Sequence, residues 1–368
     1  MGRPQRSNFD FLFSISSPII DYSNRSLRIR YNRQQHFNNA QLSSAITVNL
    51  NSKVELHLKL ITEKKLDLVR ERDLETLAVL DNHGLLMGPG ETVEQFADRL
   101  QLLSANINQF KSEILESGAI DIFDTHLEKA GAIPTKDFKP ALEKTRDLYD
   151  FEIDWVPGFY TNDRMGVLFA GCAFYSTDDY FALFVVRKAF EKNERWLIYS
   201  RTELLAHELC HIAHMGFGSV TYEEMFAYQT SPSRFRRVVG GVFRTPLDSY
   251  LILGSVMLLA AAQVVNRFVG EMIPLTKPPI AFFVMAVVFC FSVVIGRYTS
   301  NLRVIKRARK RLRVIFEEKI VRAILFRCSD DEIAAIADTP TPDALRTWLQ
   351  DTAAADIRWQ VILQKYPV

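Results

Sequence analysis

The sequence predicts an α+β chain in which a small sheet packed with helices is followed by a hairpin of two long apolar helices and a short helical tail. Three observations carry this. Apolar runs of strand character lead up to residue 200, and a helix with a capping signal follows it. Leucines and phenylalanines recur at helical spacing over Leu66 to Leu80 and over Thr92 to Leu115. Two stretches, Ser249 to Asn266 and Pro278 to Gly296, contain no charged residue, and each approaches the roughly 20 residues needed to cross a bilayer core.

With 368 residues, 48% hydrophobic and 24% charged, the chain is long enough for one large or two ordinary domains. The formal net charge of +2 conceals an uneven distribution of basic residues. Cys172, Cys210, Cys290 and Cys328 are scattered and form no C-x-x-C pair, so a disulfide scaffold is not expected and a reducing compartment fits. Met1 to Arg6 lacks the hydroxyl residue of a myristoylation signal, and Phe11 to Ile20 is too short and serine-rich for a signal sequence.

In chain order, residues 1–40 form a basic polar arm. Residues 41–149 form a mixed strand and helix region, opening with two alternating strands between Ala45 and Ile61. Helices follow over Leu66 to Leu80, over Thr92 to Leu115 behind a Thr92 to Gln95 cap, and over Ala141 to Tyr149. Residues 150–246 open with up to four strands. Phe151, Ile153 and Trp155 alternate with acids, Gly166 to Tyr175 and Tyr180 to Phe190 are apolar runs, and Trp196 to Tyr199 is the fourth. Ser200-Arg201-Thr202-Glu203 then has the S-x-x-E form of a helix-opening capping box.

That helix carries His207-Glu208-Leu209-Cys210-His211, an H-E-x-x-H pentapeptide. Four residues of α-helix turn about 400° and rise about 6 Å, so His207 and His211 share a face and can converge on one metal ion. Glu208 lies about 100° round from His207, beside the metal, where a base must stand to take a proton from zinc-bound water. Cys210 reads as inert helix packing. Catalytic zinc takes three protein ligands. His214, about 10 Å beyond His207 on the same helix, is too far, and no histidine follows it. The third ligand is then a carboxylate, unless an earlier histidine returns. A second helix restarts at Thr221-Tyr222-Glu223-Glu224-Met225-Phe226-Ala227-Tyr228.

H-E-x-x-H followed by E-E-x-F-A resembles the gluzincin branch of the zincin metallopeptidases over about thirty residues. The resemblance implies a zincin-like metallopeptidase domain with Zn2+ held by His207, His211 and Glu224, and with Glu208 as catalytic base. The competing role for Glu224 is to close a capping box with Thr221, which leaves Glu223 as the fallback ligand. Many gluzincins orient a histidine with an acid one turn after the third ligand, and this chain has Tyr228 there. Tyr228, Tyr222 and Glu223 are thus candidates for oxyanion stabilisation or for holding a ligand, against ordinary packing. H-E-x-C-H is also similar to SprT-like proteases, but the later histidine they use is missing.

Residues 247–297 read as a transmembrane hairpin, against the alternative of two buried core helices. Arg234, Arg236, Arg237 and Arg244 precede the first run and the acid-free cluster Arg297 to Arg313 follows the second, while the connection holds only Arg267 and Lys277. Both termini and the metal motif are therefore expected on the cytoplasmic side. The cluster in residues 298–368 suits anionic lipid headgroups better than nucleic acid, having no interleaved aromatic platform. The rest of that tail reads as a small docking module. The expected function is a membrane-anchored zinc endopeptidase acting on peptide or protein substrate at the membrane surface. The alternative is a non-catalytic membrane scaffold with a structural or vestigial zinc site, which a fourth ligand from Cys210, His214 or Glu223 would favour.

Overall fold

The computed structural model describes residues 60–122, 125–163, 165, 169–176, 180–218, 221–268 and 279–368. The basic arm 1–40 and nearly all of the paired strands expected over 45–61 lie outside the described residues. So does most of the connection between the two apolar runs.

The first expected helix is broken in two, α1 (Glu63–Arg70) and α2 (Leu74–Asn82). Arg72 between them takes φ +63°, and the Asp73 carboxylate accepts the Thr76 amide at 2.8 Å. An aspartate that can satisfy a free helix amide starts a new helix rather than continuing the old one. α3 (Val93–Ser117) begins with the reciprocal Thr92 and Gln95 box that the sequence predicts and ends at Gly118, φ +76°. A short antiparallel hairpin follows, β1 (Ala119–Ile122) with β2 (Thr125–Glu128). Its mixed polarity conceals it in the sequence. α4 (Thr135–Tyr149) starts before the expected Ala141 because Pro140 is tolerated inside the helix.

The main sheet has three strands, β3 (Gly158–Thr161), β4 (Gly171–Ser176) and β5 (Phe181–Arg187), in the order β3-β5-β4. β3 runs parallel and β4 antiparallel to β5. β5 is central and buried on both faces from Phe181 to Val186, hence its unbroken apolar run. β4 is an edge. The run expected to continue to Phe190 ends at Arg187 and gives way to a single helical turn, α5 (Ala189–Lys192).

Two expected strands are corrected. Phe151, Ile153 and Trp155 are buried, as their alternation predicts, but the segment joins no ladder. The Glu152 amide donates to the Asn82 carbonyl and the Trp155 indole to the His83 carbonyl, so the end of α2 takes the place of a neighbouring strand. Trp196 to Tyr199 is not one strand but a tight hairpin, in which Leu197-Ile198 is the turn between the two-residue strands β6 (Arg195–Trp196) and β7 (Tyr199–Ser200).

α6 (Arg201–Ala213), α7 (Glu223–Ala227) and α8 (Arg234–Val239) carry the chain past the site to α9 (Pro246–Phe268) and α10 (Ile280–Leu312). These last two are long and apolar enough to cross a membrane, and only 6% of the most apolar stretch of each is buried. The alternative of two core helices is disfavoured, since Leu258, Met285 and Phe289 point outward. At 1.5 Å per residue α10 is about 50 Å long, so it runs well past its uncharged part. Asp248 and Arg297 pair at 2.5 Å, setting the start of α9 beside the charged exit of that part.

The tail forms α11 (Glu318–Phe326), α12 (Asp330–Asp338), α13 (Pro342–Ala355) and α14 (Ile357–Lys365). It is no separate docking module. Phe326 is fully buried and stacks on Tyr149 at 4.3 Å and on Phe151 at 5.0 Å, with Phe226 edge-on at 5.8 Å. Arg327, also buried, donates to both Asp81 oxygens and to the Tyr149 and Asp150 carbonyls. A buried guanidinium is tolerated only when its donors are matched in this way. Helices from both ends of the described chain therefore share one core with the sheet.

Candidate metal centre

α6 starts where the sequence predicts, but only half of its capping box forms. The Ser200 hydroxyl accepts the Glu203 amide at 3.4 Å, while the Glu203 carboxylate accepts from Arg236 Nη1 at 2.8 Å instead of closing the box. From Leu205 to Ala213 every residue of α6 is buried. His207, Glu208 and His211 are therefore largely shielded from bulk water, His207 keeping 7% of its surface exposed, so their polar atoms depend mainly on partners within the site.

The two histidine rings meet edge to face with centroids 4.9 Å apart and Nε2 atoms 3.2 Å apart. Glu224, carried by α7, brings Oε2 to 3.6 Å from His207 Nε2 and Oε1 to 3.5 Å from His211 Nε2. Ligands of one tetrahedral zinc at 2.0 to 2.1 Å lie about 3.3 Å apart, so the triangle has the dimensions of a metal site. No side chain caps α7, and the Thr221 amide donates to Asp330 instead. The capping role for Glu224 is thus not taken up.

Glu223 faces the other side of His211, its Oε1 2.7 Å from Nδ1. Glu223 thus holds the far side of the His211 ring, and Glu224 rather than the fallback Glu223 completes the group with His207 and His211. His207 is held through a hydrogen bond to the Ala227 backbone. His211 thus gives Nδ1 to Glu223 and turns Nε2 toward His207 and Glu224. Glu224 Oε2, facing His207, has no hydrogen-bond partner.

The electrostatics match a site built around a cation. Burial, reinforced by the neighbouring His211, drives the His207 pKa well below its ordinary value. Burial also opposes protonation of His211, but Glu223 and Glu224 outweigh it and push the pKa up to about 10. Burial raises Glu224 to about 8. Glu224 therefore ionises readily only with positive charge beside it, as His211 supplies.

Glu208 projects beside the triangle, and its Oε2 accepts the Ala173 amide of edge strand β4 at 3.1 Å. The sequence offers no signal for Ala173, since the contact is made by backbone. Tyr228 lies edge-on to His207 at 4.6 Å, and burial followed by the Glu224 and Glu208 charges raises its pKa. Tyr222 points elsewhere, its surrounding charges being Asp330, Arg244 and Arg307. Cys210 Sγ donates to the Ala206 carbonyl at 3.3 Å, and burial raises the thiol far out of its reactive range. His214, as its spacing predicts, is not a ligand. Its Nε2 meets the Phe326 carbonyl at 2.6 Å.

Comparison with protein-family models, with curated proteins and with solved structures finds no match to this chain. Its function is therefore argued from the site alone.

Proposed function

We propose that this chain is a membrane-anchored zinc endopeptidase of gluzincin type whose active site faces the cytoplasm. The observation that carries the reading is the convergence of His207, His211 and Glu224, with ligand atoms all within 4.8 Å of one another, at a helix whose next residue, Glu208, stands beside the triangle. Zinc bound there supplies Lewis acidity and lowers the pKa of water. Glu208 accepts the proton of the attacking water and returns it to the leaving amine. Its bond to Ala173 ties the base to edge strand β4, the strand along which we place an extended substrate chain.

A mixed sheet with its edge strand beside the H-E-x-x-H helix supports the zincin-like reading. A fourth ligand would favour the scaffold alternative. Cys210, His214 and Glu223 are engaged with Ala206, Phe326 and His211 respectively, which favours an open coordination position. α9 and α10 are read as membrane spans, and the basic residues flanking them favour a cytoplasmic site.

Zinc content and peptide hydrolysis of the purified full-length protein test this together. Wild type should carry near-stoichiometric zinc, His207→Ala should lose it, and Glu208→Gln should keep zinc without hydrolysing peptide. Less than about 0.2 zinc per wild-type chain contradicts the metal site. Undiminished cleavage by Glu208→Gln contradicts the mechanism.

A further inference from the structure

The turn between β6 and β7 breaks two rules at once. Two-residue hairpin turns favour glycine and asparagine, which reach positive φ cheaply and are soluble. Here the turn is Leu197-Ile198, with Leu197 at φ +51°. Both side chains are well exposed, at 63% and 66%. A strained turn that holds out two large aliphatic side chains has an unfavourable design for water.

The residues around the turn define what it suits. Trp196 and Tyr199 flank it and stack at 6.4 Å, and these two residue types concentrate where membrane meets water. Arg187 lies over the Trp196 ring at 4.3 Å, and Arg195 is exposed beside it. On α8, Phe235 and Val238 share a face and are exposed at 72% and 58%, with Arg234 exposed next to them. The order is aliphatic tip, aromatic collar, then basic residues, as in a segment seated in an anionic interface.

Three hydrogen bonds hold this surface level with the charged exit of α10. Tyr298, one residue past Arg297, donates its hydroxyl to the Val238 carbonyl. Arg236 donates to the Ile198 carbonyl and, through its other nitrogen, to Glu203 in the first turn of α6. The span exit, α8, the hairpin tip and the metal-bearing helix are thus joined in one rigid series.

We infer that the Leu197-Ile198 tip, with Phe235 and Val238, inserts into the headgroup region of an anionic bilayer and seats the α6 end of the metal domain on the membrane. This rests on reading α9 and α10 as spans and is independent of the metal. Its consequence is orientation, because a domain held at the hairpin tip as well as at the spans cannot turn freely and keeps one side of the site toward the surface.

The test uses full-length protein in nanodiscs of phosphatidylcholine with a third phosphatidylglycerol. Cys290→Ser removes the one cysteine that is not buried, and a fluorophore is placed in turn at Ile198→Cys, Leu258→Cys and Asp351→Cys. Nitroxide lipids labelled near the headgroup should quench the Ile198 label at least about twofold more than the Asp351 label, which iodide should reach instead. A Leu197→Asp change beside the Ile198 label should abolish the lipid quenching and leave zinc content unchanged. If the Leu258 label is quenched by lipid and the Ile198 label by iodide alone, the spans stand and the inserted tip is overturned. An Ile198 label shielded from both quenchers also overturns it, because protein then covers the tip. A Leu258 label open to iodide removes the spans and the insertion with them.

Discussion

His211 is gripped from both sides, with Nδ1 against Glu223 and Nε2 facing Glu224, and that double contact sets the orientation of a ligand whose helix alone leaves its ring free to turn. Glu223→Gln keeps the shape and an acceptor oxygen but removes the charge that stabilises a cation here. Zinc affinity should fall about 10- to 100-fold, read by competition with a chromophoric chelator. Unchanged affinity would assign Glu223 to packing alone. His207, His211 and Glu208 were legible as letters at fixed helical spacing. The split of duties between Glu223 and Glu224 was not, because an E-E doublet leaves open which carboxylate faces the histidines until the entry angle of α7 is set. Nor was Ala173, whose contribution is an amide that every residue but proline possesses.

At the scale of elements, periodicity revealed helices where a cap and an apolar stripe coincided, as in α3 and α6. It failed where burial and strand pairing part company. Phe151 to Trp155 alternates because one side faces the core, yet its backbone is satisfied by the end of α2. β1, β2 and β3 are four residues each, too short for a pattern to stand out. A tight contact links α8 to the site. A Cβ built on Gly240 would fall inside the van der Waals envelope of the Tyr228 ring, which itself lies against His207. Gly240→Ala should displace Tyr228 and cost about 1 to 3 kcal/mol by overpacking, measured as a lower midpoint of thermal unfolding in detergent. Tyr228→Ala in the same background should recover part of that loss.

For the whole molecule, the decisive contact is between helices at the two ends of the described chain. Burial works against ionisation of Asp81, but Arg327 and Lys365 outweigh it and hold its pKa below the ordinary value. A carboxylate depressed by folding contributes stability that is fully present above about pH 3.9 and is lost as pH falls through the lower folded-state value. Acid unfolding should therefore release the tail below about pH 4, seen as protease cleavage between α10 and α11. Asp81→Asn should produce the same cleavage at neutral pH, at a cost of about 3 to 5 kcal/mol for an unpaired buried guanidinium. The tail's role also decides which truncation can fold. Ending the chain before Asp248 removes Phe326 and Arg327 and uncovers Tyr149, Phe151 and Phe226, so that fragment should aggregate. Excising the apolar hairpin and joining Thr245 to Thr299 through a short Gly-Ser linker should yield a soluble domain that retains zinc, because Asp248 and Arg297 already bring the two ends together.

The order of synthesis turns this shared core into a constraint on when the site matures. The metal-binding letters are complete once Glu224 leaves the ribosome, but the wall behind them is not. Phe326 and Arg327 emerge about 100 residues later, after both apolar helices, which is roughly 5 to 20 seconds at ordinary elongation rates. During that interval the nascent chain holds its zinc residues on a half-built core. A ribosome-bound chain arrested before residue 316 should bind zinc poorly, while one arrested late enough to expose residue 366 should bind it fully. Both apolar helices thus leave the ribosome before the core behind the His207, His211 and Glu224 cluster is complete.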